Sequence, residues 1–105
     1  MKLRALSREQ MTALVDEVRA MADLPAGANP DALRRAKEIR FQLQGQPEAS
    51  PAAIEKADEV YRELEILLHG HRWQREYQLD HLRVRIKSAC ERMRVHLGLA
   101  SRPPA

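Results

Sequence analysis

The chain has one cysteine, four aromatic residues and four glycines among its 105 residues. A lone cysteine, Cys90, excludes an internal disulfide framework. Four rings (Phe41, Tyr61, Trp73 and Tyr77) are too few to dominate a core. Leu, Ile, Val, Met and Ala must therefore fill it, and that composition suits helices. The glycines are isolated, so the sequence contains no glycine-rich phosphate loop. No Asn-Gly hairpin signal and no alternating β-branched run predicts a strand. No stretch approaches the roughly 20 apolar residues of a membrane span, and no apolar run follows the basic start at residues 1–6 as a secretory signal requires. The expectation is a soluble, cytoplasmic protein that does not enter a membrane.

What is present is an ordinary globular balance of 44% hydrophobic and 31% charged residues, which argues against wholesale disorder. At this length one domain is expected, spanning residues 1–100, with Ser101-Arg102-Pro103-Pro104-Ala105 as a disordered tail. The predicted fold class is all-α, a small bundle of about four helices ending in a long one.

Helix boundaries are written in local signals. Ser7 followed by Gln10 forms a capping-box pattern, with Leu6 and Met11 placed as a hydrophobic staple. Met11, Leu14, Val15, Val18 and Ala22 then recur at helical spacing, and Pro25, Gly27 and Pro30 end the segment. Asn29-Pro30 and Ser50-Pro51 each read as an N-cap followed by proline in the first turn. The second helix carries Leu33, Ala36, Ile39 and Leu43 and closes at Gly45; Phe41 lies off that stripe, either exposed or packed on something else. The third carries a seam of Ile54, Ala57, Tyr61, Leu64 and Leu68, widened by Val60 and Leu67. Extending that seam past Gly70 calls for apolar residues where the chain has His71, Arg75 and Gln78. A hinge or turn near Gly70 is therefore preferred to one helix running through it.

The segment from His71 to Leu99 has two apolar stripes at about 100° per residue. Leu79, Leu82, Ile86, Cys90, Met93 and Leu97 line one face, as core or as a dimer contact. Trp73, Tyr77, Val84 and Val95 fall roughly opposite. One stripe suffices for a helix on the edge of a bundle, so the second implies a further surface to bury against. Trp and Tyr bordered by Arg is the composition of interface hot spots. The expected partner-binding residues are Phe41, Leu67, Leu68, Trp73, Tyr77 and Val84, with Arg72, Arg85 and Arg92 as a basic rim. A homodimer is also expected, because few helices remain to cover both stripes.

Catalytic and metal chemistry lack the necessary groupings. His69 and His71 diverge on a helix, and His81 and His96 fall outside ligand spacing. Glu55, Asp58, Glu59, Glu63 and Glu65, near Lys56 and Arg62, read mostly as salt-bridge neighbours on a solvated helix. No enzyme activity, cofactor or metal is expected. Charge is more informative. From His71 onward there are eight basic residues against three acidic ones, whereas the first seventy residues hold ten against twelve. A basic terminal helix can mark a nucleic-acid-binding or nucleoid-associated protein, and this is the alternative function. Its cations, however, flank both apolar faces rather than gathering on one. That arrangement matches side chains bordering a protein interface and argues against direct nucleic-acid binding.

The four helical segments, the basic two-faced last helix and the stretch Glu63-Leu64-Glu65-Ile66-Leu67-Leu68-His69-Gly70-His71-Arg72-Trp73 resemble the small quorum-sensing antiactivators of the QslA type. The resemblance implies a helical protein that binds the ligand-binding domain of a LasR-like, LuxR-family transcription regulator. Such binding would block the regulator's dimerisation and hence its attachment to DNA.

Overall fold

A computed structural model describes residues 5–69 and 76–99. Four helices occur in it: α1 Arg8–Met21, α2 Pro30–Gln44, α3 Pro51–Leu68 and α4 Glu76–His96. No strand occurs among the described residues.

Each start has a chemical cause. Ser7 Oγ accepts from the Gln10 N–H at 3.0 Å, and the Ser7 N–H donates to Gln10 Oε1 at 2.9 Å, a reciprocal capping box. Asn29 Oδ1 accepts from the Ala32 N–H, and Ser50 Oγ accepts from the Ala53 N–H, each at 3.1 Å. Pro30 and Pro51 follow these caps at the start of α2 and α3, where a missing N–H leaves nothing unsatisfied.

The ends are tied together by long-range bonds that reveal the topology. The Leu6 N–H donates to Gln46 Oε1 at 2.9 Å, placing the start of α1 beside the end of α2. The Gly27 and Asn29 N–H groups donate to the Leu67 and Leu68 carbonyls at 3.0 and 2.9 Å. The loop before α2 thereby satisfies carbonyls that the end of α3 cannot pair internally. Gly27 has φ of 131°, a conformation glycine adopts without penalty. Ser50 Oγ donates to the His96 carbonyl at 3.3 Å, joining the start of α3 to the end of α4. Arg83 Nε and Nη2 donate to the Ala22 and Leu24 carbonyls at 3.0 and 3.2 Å, joining α4's first half to the end of α1. Every neighbouring pair is therefore antiparallel. Each helix packs on its neighbours in chain order, and α4 returns to α1, while the diagonal pairs make no substantial contact. This is an up-down-up-down bundle.

The core draws on all four helices: Met11, Val15 and Val18 from α1, Ile39 and Leu43 from α2, Leu64, Leu67 and Leu68 from α3, and Ile86, Cys90 and Met93 from α4. Fully burying a side chain of this size contributes about 1.5–3 kcal/mol. In α3 the buried stripe is Ala53, Ala57, Val60, Leu64, Leu67 and Leu68. Ile54, read from sequence as part of the seam, is 37% exposed, and Tyr61 is half-buried. Packing on α2 and α4 rotates the buried face toward the side that Val60 and Leu67 had merely widened.

Gly70 and the tail at 101–105 lie outside the described residues. The described part of the last segment is helical only to His96, short of the predicted end at Leu99. Gly98 has φ of 73°; its N–H donates to the Val95 carbonyl at 3.0 Å, and the Leu99 N–H donates to the Arg94 carbonyl at 3.1 Å. This pair of bonds is a Schellman stop, with Leu99 turned back into the core.

Candidate protein-binding surface

The final helix is two-faced in the folded protein. Leu82, Ile86, Cys90, Met93 and Leu97 are buried, joined by Ala89, and Leu79 is half-buried against them. This stripe is committed to the bundle's own core, the first of the two roles that its periodicity left open. On the other side Val84 and Val95 are 63% and 60% exposed. They are three turns apart, about 16 Å along the axis, and share a face with Ser88.

The two flanks of that outer stripe differ. On the α1 side, Lys87 Nζ lies 2.7 Å from Asp23 Oδ1, and Arg83 holds the carbonyls at the end of α1. Arg94 is 2% exposed. Its Nη2 donates to Asp16 Oδ1, and its Nε donates to Glu91 Oε2 at 3.3 Å. Burial opposes the Arg94 charge; the bond to Asp16 and the carboxylates of Asp16 and Glu91 outweigh it, so its pKa is raised. Arg19 Nε lies 3.0 Å from Glu91 Oε1 in the same cluster. Periodicity puts Arg94 on a flank between the two stripes; its burial follows from Asp16, which lies across the α1–α4 contact. On the α3 side, Arg85 Nη2 lies 3.2 Å from Glu63 Oε2. Arg85 and Arg92 are both exposed, and Arg92 meets no acidic partner among the described residues.

Among the described residues, the other expected binding residues do not form one surface. Leu67 and Leu68 are 1% and 0% exposed. They fill the core and cannot contact a partner, a correction to the sequence reading. A Leu-Leu pair at the end of a helix looks like surface until the core that the four helices build around it is known. Phe41 is 61% exposed, beside Arg34, Lys37, Glu38, Arg40 and Gln44 in a shallow groove on α2. Since α2 and α4 lie across the bundle from each other, Phe41 and Val84 belong to separate surfaces. Trp73 and Arg72 lie outside the described residues. Tyr77 falls in the first turn of α4, and its side chain lies outside the description.

The carboxylates of α3 act between helices more than within one. Lys56 pairs with Glu59 at 2.8 Å, but Asp58 reaches Arg40 and Gln44 of α2, and Glu63 reaches Arg85 of α4. Arg40 also stacks on the Tyr61 ring, 4.2 Å from its centroid. Among the described residues no cluster of three or more His, Cys, Asp or Glu could hold a metal. No described helix is long and apolar enough to cross a membrane. Burial pushes the Cys90 thiol up to about 12, which suits a packing residue and not a nucleophile.

No protein-family model, no curated protein and no solved structure matches the chain.

Proposed function

We propose that the protein is a small regulator that acts by protein–protein contact through the outer face of α4. The observation that supports this reading is the exposure of Val84 and Val95 on a helix whose opposite face is already buried in the core. Exposed valines aligned over three turns leave apolar area that a partner can remove from water. The resemblance to quorum-sensing antiactivators suggests the partner: the ligand-binding domain of a LuxR-family transcription activator. Occupying that domain's dimer surface would prevent dimerisation and DNA binding. Trp73 and Arg72 immediately precede this helix in the sequence and belong to the same proposal.

The nucleic-acid alternative loses support from the placement of the cations. Arg83, Lys87 and Arg94 are engaged with α1, and among the described arginines and lysines of α4 only Arg85 and Arg92 remain on the outer side. Two arginines make a poor phosphate track.

The test is titration calorimetry between the full chain and the ligand-binding domain of a LuxR-family activator. The expected result is a complex that the double variant Val84→Glu, Val95→Glu abolishes while its circular dichroism is unchanged. Binding that ignores both substitutions overturns the role of α4, and a salt-sensitive gel shift with DNA that Arg85→Glu, Arg92→Glu eliminates would favour the alternative.

A further inference from the structure

We draw no further inference here: the strongest candidate, the outer face of α4 around Val84, Ser88 and Val95, has cations on its α3-side edge at Arg85 and Arg92 and carboxylates on its α1-side edge at Asp80 and Glu91, so its charge suits a second copy as well as a foreign partner and nothing in the structure shows what covers it.

Discussion

Arg94 on α4 donates to Asp16 on α1, 78 positions earlier in the chain, and the arginine side chain is 3% exposed whereas the aspartate is 46% exposed. The asymmetry decides which half of the pair matters. Losing the aspartate leaves a buried guanidinium with Glu91 as its remaining carboxylate; losing the arginine leaves a carboxylate that water can reach. Asp16→Ala should therefore destabilise the protein by about 1–2 kcal/mol. Arg94→Met, which keeps volume and removes the buried charge, should be closer to neutral. Urea unfolding of both variants checks the order. A larger loss in Arg94→Met would show that the cation itself holds α4 on α1.

Glu17 makes a two-pronged bond to Arg35, at 2.6 and 2.9 Å, between α1 and α2. That bond and the arginine's charge outweigh burial and lower the carboxyl's pKa below its ordinary 4.5. With the folded value depressed, the unfolded chain binds more protons across the interval between the two values, so stability rises with pH there. The pair's contribution is fully present above about 4.5 and is lost as pH falls through the lower folded value. Glu17→Gln should flatten the acid limb of a stability-versus-pH curve and leave its slope near neutrality unchanged. An unchanged acid limb would assign the acid sensitivity to other carboxylates.

Cys90 reports on the integrity of the inner face of α4. With its thiol pushed to about 12 by burial, on the order of one molecule in ten thousand carries the thiolate at pH 8. A disulfide reagent should label it only as fast as the bundle opens, and labelling should follow the unfolding curve in urea. Rapid labelling in native buffer would mean that the α1–α4 contact opens locally.

Leu68 and Phe41 were both read from sequence as partner-facing, and their variants should behave oppositely. Leu68→Ala removes a fully buried side chain and should cost about 2–5 kcal/mol. Phe41→Ala removes an exposed ring and should change stability by no more than about 0.5 kcal/mol. Thermal melts of the two variants are enough to compare them.

These contrasts show how far sequence reaches. Helix starts depend on neighbours within four residues, so Ser7, Asn29 and Ser50 could be named as caps from spacing alone. The inner stripe of α4 was legible because its apolar residues recur without interruption from Leu79 to Leu97. On α3 two apolar stripes overlap, and only contact with α2 and α4 selects Ala53 and Val60 over Ile54. The roles of Arg83, Lys87 and Arg94 were hidden for the same reason: their partners lie on α1, and no local pattern encodes that distance. Burial of Leu67 and Leu68 depends on a core assembled from all four helices, and their carbonyls are met by a loop some forty residues away in sequence.

Gly98 carried a local signal that could have been used. Glycine two residues after a histidine at a helix end, followed by an apolar residue, is the pattern of a Schellman stop, and the stop is what returns Leu99 to the core. At φ of 73° any other residue sets its Cβ against its own backbone. A Cβ added there meets nothing within 4 Å, so the penalty comes from the backbone alone. Gly98→Ala should cost about 1–2 kcal/mol, and Gly98→Asn should cost less, because asparagine tolerates the left-handed region. A loss from Gly98→Ala with an unchanged inner core, judged by the slow labelling of Cys90, would place the effect at the stop. Accelerated labelling at Cys90 would mean that the turn also holds the last two turns of α4 against α1.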